Sequence, residues 1–386
     1  MTLPAPRPVG VVVIGGGAMG TSTAWHLAAA GVTDVVLLEA GELAGGSSGK
    51  PLGGVRAHFS DRTNVELGLR SLEKFHRFAA DVGTGIGLHR VGYLFAIRDE
   101  ADVAPFEAGV AVQNELGVPS RMIDAAEAAR LCRYLSPDGV VAAAWSPSDG
   151  WARPGDVVRG YAEDARRRGV TVRTGVGVAG IDAEAGRAVV TATDGSRYAA
   201  PAVVCAAGAW STEVGAMAGV DLPIVALRRQ IAFTAPVVPP ATEVPFTIDY
   251  TTTAYFHGTE DGGLLLGWAD PGQAPGFDRS VSDDWHGPLR SALRAFAPAL
   301  ADAELTGGWA GLYEMTPDCN AMIGEADAGF RFLYAAGFSG HGFLQSPAVG
   351  ECVAALYLGR RPPVDVAPFD AARFGTGARR TEVAII

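Results

Sequence analysis

Gly15, Gly17 and Gly20 stand in the order G-x-G-x-x-G directly after the apolar run Val9–Ile14, and Glu39 closes a second such run, Asp34–Glu39. Glycines at this spacing suit a polyphosphate. The first permits a tight turn after a strand, the second lets backbone approach a pyrophosphate, and the third lets helix and strand pack closely. The phosphates then meet free N–H groups at a helix N-terminus. An acid ending the next strand accepts hydrogen bonds from both hydroxyls of an adenosine ribose and repels a 2′-phosphate, which disfavours NADP. A lone glycine motif could be an ordinary turn. Strand, glycines, helix, strand and terminal acid together specify a dinucleotide site, and leave FAD and NAD both open.

The elements that must hold these residues read as follows. Val9–Ile14 and Asp34–Glu39 are expected as buried parallel strands, with a helix over Thr21–Ala30 between them, a βαβ unit. Gly41–Phe59 reads as an ordered loop rich in Gly and Ser. Helices are expected over Asn64–Val82, Val103–Leu116, Asp124–Leu131, Asp156–Arg168, Ser282–Ala297 and Pro347–Leu358. Strands are expected over Gly92–Ile97, Val170–Thr174, Ala188–Ala192, Ala202–Gly208 and Phe332–Gly337. Pro223–Trp268 alternates strands and turns, the pattern of an antiparallel sheet. The fold class is α/β: a Rossmann-like dinucleotide-binding domain with an inserted α+β domain on a mixed, largely antiparallel sheet.

Composition narrows the function. The chain has 386 residues, 48% of them hydrophobic and 19% charged, which excludes a disordered protein. Its formal net charge of −11 argues against a duplex nucleic-acid partner and an anionic membrane face. Cys132, Cys205, Cys319 and Cys352 form no CxxC pair, so no metal site is expected and a reducing, cytoplasmic setting is. No apolar run reaches the ~18 residues of a membrane helix.

Four segments resemble the D-amino-acid oxidase superfamily of flavoenzymes, within it the glycine/sarcosine oxidase group and most nearly the β subunits of heteromeric sarcosine oxidases and proline dehydrogenases. They are Val11–Gly20 with Glu39-Ala40, Gly45–Arg56, Trp309–Asp318, and Ala335–Phe343, the last being the most specific. The resemblance implies non-covalent FAD in a discontinuous domain of residues 1–85, 150–220 and 322–375. It implies a substrate domain of 86–149 and 221–321, with 376–386 left as a mobile tail. By resemblance Gly15, Gly17, Ala18, Met19 and Gly20 meet the pyrophosphate, Glu39 and Ala40 the ribose, and Val178 the adenine. Ser47 and Ser48 lie near the phosphates, Gly53 and Gly54 pass the flavin ring, and Ala207 and Gly208 complete the cofactor set. Gly340, His341, Gly342, Phe343 and Leu344 form the turn and helix N-terminus beside the flavin. A helix-capping role for His341 stays open.

Three side chains are candidates for the chemistry. Arg56 matches an arginine that pairs with substrate carboxylate, or is a structural ion-pair partner. Tyr313 lines a substrate cage or packs in the core. Lys50 is either an oxygen-activating charge or a solvated surface lysine. Glu314 pairs with an amine or caps a turn. Relatives carry cations where Leu265 and Leu344 stand and a histidine where Ala269 stands, and Gly311 replaces a flavin-linking cysteine. The expected activity is oxidation of a C–N bond in an amine, amino acid or secondary imino acid, with hydride passing to flavin and oxygen or another acceptor reoxidising it. A flavin-holding subunit needing a partner, or a plain NAD dehydrogenase, are the alternatives.

Overall fold

The computed structural model describes residues 5–376 together with Arg380, Glu382 and Ala384. Among them a six-stranded sheet carries the glycine motif. Its order is Met322–Asp327, Arg331–Ala336, Ala202–Cys205, Val11–Ile14, Val35–Leu38, Thr171–Arg173. All neighbours are parallel except the first pair. The run Val11–Ile14 is apolar throughout because both of its faces are covered. Val11 and Val13 pack under helices, whereas Val12 and Ile14 pack against Ile181, Ala188 and Val190 of a four-stranded sheet. That smaller sheet runs Arg7–Pro8, Arg197–Ala200, Arg187–Ala192, Val178–Glu184.

The covering helices are Ala18–Ala29, Pro154–Arg167 and Gly342–Tyr357. Ala18–Ala29 has no polar face, since ten of its residues are buried. It lies so close to Gly342–Tyr357 that a methyl group added at Gly350 would sit 2.2 Å from Ser22 Oγ. Arg62–Val82 starts at Asp61, whose carboxylate caps the Thr63 and Asn64 N–H groups, and stops at Gly83 with φ 84°.

A second, eight-stranded sheet runs Leu305–Met315, Val225–Thr234, Leu264–Trp268, Ala254–Gly258, Phe246–Asp249, Tyr93–Ile97, Ala142–Ser146, Arg121–Ile123. It is mixed and largely antiparallel, as expected, with one parallel pair between Phe246–Asp249 and Tyr93–Ile97. Helix His286–Phe296 buries Leu289, Leu293 and Phe296 against its outer face.

Some boundaries depart from the sequence expectations. The glycine-motif helix begins at Ala18, and the basic helix at Pro154, where proline's fixed φ suits the first turn. The late helix begins at Gly342 and runs through Pro347. Proline there has no N–H for the Phe343 carbonyl, and Ser346 Oγ–H takes its place at 2.8 Å. The region Ser282–Ala297 is a short 3₁₀ turn, Asp283–Trp285, before the helix. Of the tail expected to be mobile, residues 377–379, 381, 383 and 385–386 lie outside the described residues. Glu382 and Ala384 are each 3% exposed. The Glu382 carboxylate accepts from Ser60 N–H, Asp61 N–H and Asn64 Nδ2–H, and Arg380 pairs with Asp61 at 2.7 Å.

Candidate active site

The glycine turn leaves the strand Val11–Ile14 at Gly15, whose φ of 112° only glycine adopts freely. A methyl group on Gly15 would stand 2.2 Å from Ala206 O, so the turn is pressed against Ala206–Ala207. On Gly20 it would stand 1.8 Å from Gly15 O, the tight helix–strand contact the third glycine exists to allow. On Gly17 it would stand 2.8 Å from Ser48 Oγ, and that oxygen accepts the Ala18 N–H at 2.8 Å. Ser48 thus caps the helix from the loop 47–49.

Glu39 follows the second strand. Its Oε2 accepts Gly16 N–H at 2.6 Å and its Oε1 accepts Gly41 N–H at 2.7 Å. A carboxylate has about four lone-pair sites, so two remain for ligand hydroxyls. Backbone pairing of Val176 N–H with Glu39 O at 2.8 Å brings the segment before Val178 alongside Glu39-Ala40. Gly208, at φ 56°, opens the short helical turn Gly208–Trp210 behind the glycine motif.

From the glycine motif a cleft of about 1140 Å³ runs to the inner face of the eight-stranded sheet. It is lined by Ala18, Met19, Ser47, Ser48, Lys50, Gly53, Gly54 and Arg56 from one side. Gly340, His341, Gly342, Phe343 and Leu344 line it from another, and Arg229, Tyr255, Gly311, Tyr313 and Glu314 close it. Three places show how closely backbone borders this space. A methyl group at Gly54 would meet Tyr93 Oη at 2.3 Å, at Gly340 the Tyr313 ring at 2.3 Å, and at Gly311 Lys50 Cβ at 2.7 Å.

The fit to an adenine dinucleotide rests on groups the protein itself leaves unmet. Ser47 Oγ and both ring nitrogens of His341 are buried without a protein partner. A ligand threading the cleft reaches all of them, beginning at a helix N-terminus suited to phosphate. His341 precedes the helix Gly342–Tyr357 but makes no side-chain cap hydrogen bond. Burial, reinforced by Arg56, lowers its pKa to about 3, so the ring is a neutral imidazole at ordinary pH.

The remaining candidates have separate environments. Arg56 is 6% exposed: Nη1–H donates to His58 O, Nη2–H donates to Ala384 O at 2.6 Å, and the guanidinium lies over the Phe59 ring. Glu314 accepts the Gly337 N–H at 2.9 Å, bracing the turn into the helix, and burial raises its carboxyl to about 7. Lys50 lies in the cleft, and its carbonyl accepts from Trp309 Nε1–H at 2.5 Å. Leu265 is half-buried in the inner-face apolar cluster, while Ala269 is buried near its strand's end. Arg229 and Tyr255 went unmarked in the sequence. The usable signal was alternation along Val225–Thr234, which puts Leu227, Arg229 and Ile231 on one face. Among the described residues no His/Cys/Asp/Glu group could hold a metal ion, and no helix is long and apolar enough to cross a membrane.

Comparison with known proteins gives one consistent result. The family model described as FAD dependent oxidoreductase matches residues 10–356. The 4-methylaminobutanoate oxidase (formaldehyde-forming) of Paenarthrobacter nicotinovorans is 28% identical over 382 residues, covering 96% of this chain and 46% of that protein. The chain thus spans a little under half the length of that relative. Among solved structures, L-proline dehydrogenase from P. horikoshii superposes with a TM-score of 0.91 at 31% identity, covering 97% of this chain and all of that one. Glycine oxidase from Geobacillus kaustophilus gives 0.85 at 26% identity, covering 95% and 99%.

Proposed function

The chain belongs to the DAO family of FAD-dependent oxidoreductases, and on that premise we propose that it oxidises the C–N bond of an amine, amino acid or secondary imino acid to the imine. The similar proteins named above act on a methylaminobutanoate, on proline and on glycine, all amines that carry a carboxylate. The observation that supports the reading most is the single cleft joining the glycine motif to a pocket walled by Tyr255, Tyr313, Ile231, Phe246 and Phe343.

In this reading Gly15, Gly17, Gly20 and the Ala18–Met19 N–H groups hold the pyrophosphate, Ser47 and Ser48 flank it, and Glu39 takes the ribose. Val178 and Ala40 border the adenine, with Ala207 and Gly208 behind. Gly53, Gly54 and Gly340–Leu344 leave room for the isoalloxazine ring. When bound, FAD supplies the hydride acceptor. The residues then have modest tasks. The aromatic and aliphatic walls exclude water and fix the pose of the reacting carbon. Glu314 holds the Gly337 turn and so positions Gly340 and His341. No side-chain base is needed once the amine is neutral. The neutral His341 fills the space beside Phe59 and Phe338 and presents two ring nitrogens to the cofactor.

Anaerobic mixing of the purified yellow protein with a panel of secondary amines, N-methyl amino acids and cyclic imino acids tests this. Loss of visible flavin absorbance with at least one of them is expected. Bleaching by none, with chemical reductants still effective, would refute it and favour a flavin-holding subunit whose partner does the chemistry.

A further inference from the structure

The cleft lining contains three cations, Lys50, Arg56 and Arg229, and Glu314 as its one acid. Glu314 is engaged by the backbone of Gly337. The cavity therefore carries uncompensated positive charge, and a bound anion would relieve it.

The two arginines are not equivalent. Arg56 gives both Nη groups to backbone carbonyls and packs on Phe59. A carboxylate could reach it only by displacing Ala384 O. Arg229 makes one hydrogen bond, from Nη1–H to the neighbouring Arg228 O at 3.2 Å. Its Nε is buried without a partner, and no acidic side chain among the described residues lies within 4.0 Å of it. An arginine with a dry, unmet donor edge is set to receive a planar anion in a two-point grip.

Its setting is built from neighbours on the same sheet face. Arg229 is in register with Gly311, so no side chain crosses its path from the adjacent strand. The Tyr313 ring lies 5.2 Å from its guanidinium carbon. A methyl group on Gly267 would stand 2.2 Å from the Tyr255 ring, so that ring lies flat across the strand Leu264–Trp268. Arg229 is close enough for its charge to act on both tyrosine hydroxyls.

We propose that the substrate of this enzyme is a carboxylate-bearing amine and that its carboxylate is held by Arg229 rather than Arg56, with Tyr255 and Tyr313 walling the bound anion. The inference deepens the C–N oxidation reading and rests on it for the amine half of the substrate alone.

The test uses carboxylates without an oxidisable amine, so it does not depend on turnover. The FAD-loaded protein is titrated with acetate and with pyrrole-2-carboxylate, and with acetamide as the uncharged control, following the flavin visible spectrum and binding heat. Wild type, Arg229→Gln, Arg229→Lys and Arg56→Lys are compared, each first shown to retain the wild-type flavin spectrum. Arg229→Gln should weaken carboxylate binding about ten- to a hundred-fold, the range of a charge-assisted pair. Arg229→Lys should fall between, keeping the charge without the fork. Arg56→Lys should stay within about threefold, and the acetamide response should not change with Arg229. Unchanged carboxylate affinity in both Arg229 variants, or a loss confined to Arg56→Lys, overturns the assignment. If no amine bleaches the flavin yet carboxylates still bind through Arg229, the oxidation reading fails and the anchor stands. If amines without a carboxylate bleach wild type and Arg229→Gln equally well, the anchor fails and the oxidation reading stands.

Discussion

Glu39 joins two jobs whose sizes can be separated. Its carboxylate ties the Gly16 N–H in a partly buried bond and the Gly41 N–H in an exposed one. Replacing it with glutamine keeps an oxygen for Gly16, whereas Gly41 turns to water. The loss is then charge assistance plus one exposed bond, about 1 kcal/mol. Alanine leaves the Gly16 N–H with no side-chain acceptor, about 2–3 kcal/mol. At about 2.1 cal/mol/K per residue, a 386-residue chain unfolds with roughly 0.8 kcal/mol/K of entropy. The expected drop in Tm is therefore about 1 °C for Glu39→Gln and about 2–4 °C for Glu39→Ala, measured by calorimetry on FAD-free protein. The two free lone-pair sites then decide affinity. Fluorescence titration with FAD should show about tenfold weakening for glutamine and up to about a hundredfold for alanine. An alanine variant with wild-type Tm would refute the structural job. One with wild-type FAD affinity would show that the carboxylate does not face the ribose.

Three further outcomes are expected. Flavin should leave with the supernatant on acid precipitation, because Gly311 offers no thiol and a side chain there would strike Lys50 Cβ at 2.7 Å; a yellow pellet would contradict this. Burial holds His26, His58 and His341 down to about 3 and His257 to about 4, so each stabilises above pH 6.5 and that stability is lost as pH falls; Asp149, raised to about 6, and Glu314, raised to about 7, act in the opposite sense. Near pH 5 the balance is about two protons taken up on unfolding, or roughly 3 kcal/mol per pH unit lost on acidification of the FAD-free protein, and a flat Tm between pH 6.5 and 4.5 would count against it. In stopped-flow reoxidation of reduced protein, Leu265→Lys should react faster with oxygen than wild type and Lys50→Met little differently, since a nearby cation stabilises developing superoxide; a collapse of the rate in Lys50→Met would instead make Lys50 the oxygen site.

What the sequence made legible follows from how local each signal is. The glycine turn announces itself because its three glycines answer constraints set within one βαβ unit. The long strand Leu305–Met315 did not read as a strand, because Gly307, Gly308 and Gly311 break its pattern. Those glycines make sense only against Phe233, Ile231 and Lys50. Gly342 as a helix start was hidden by Pro347, whose cost is met by Ser346. Arg56 was legible by position in a motif, but its engagement by Ala384, 328 residues away, was not. Arg229 belongs to no motif, and alternation gives it a face without saying which face meets the cleft.

The order in which the chain supplies its main sheet has a consequence for synthesis. The strands Val11–Ile14 and Val35–Leu38 leave the ribosome first, yet their neighbour Arg331–Ala336 and the covering helix Gly342–Tyr357 come near the end. Until then the apolar helix Ala18–Ala29 has no partner on that side. Loop closure over some 300 residues is slow, and non-local pairing of this kind marks late-folding topologies. The nascent chain therefore exposes an aggregation-prone surface through most of its translation, a demand met by holding chaperones. Flavin capture is a post-translational event in this protein, because the glycine turn gains its full support only after the last helix docks.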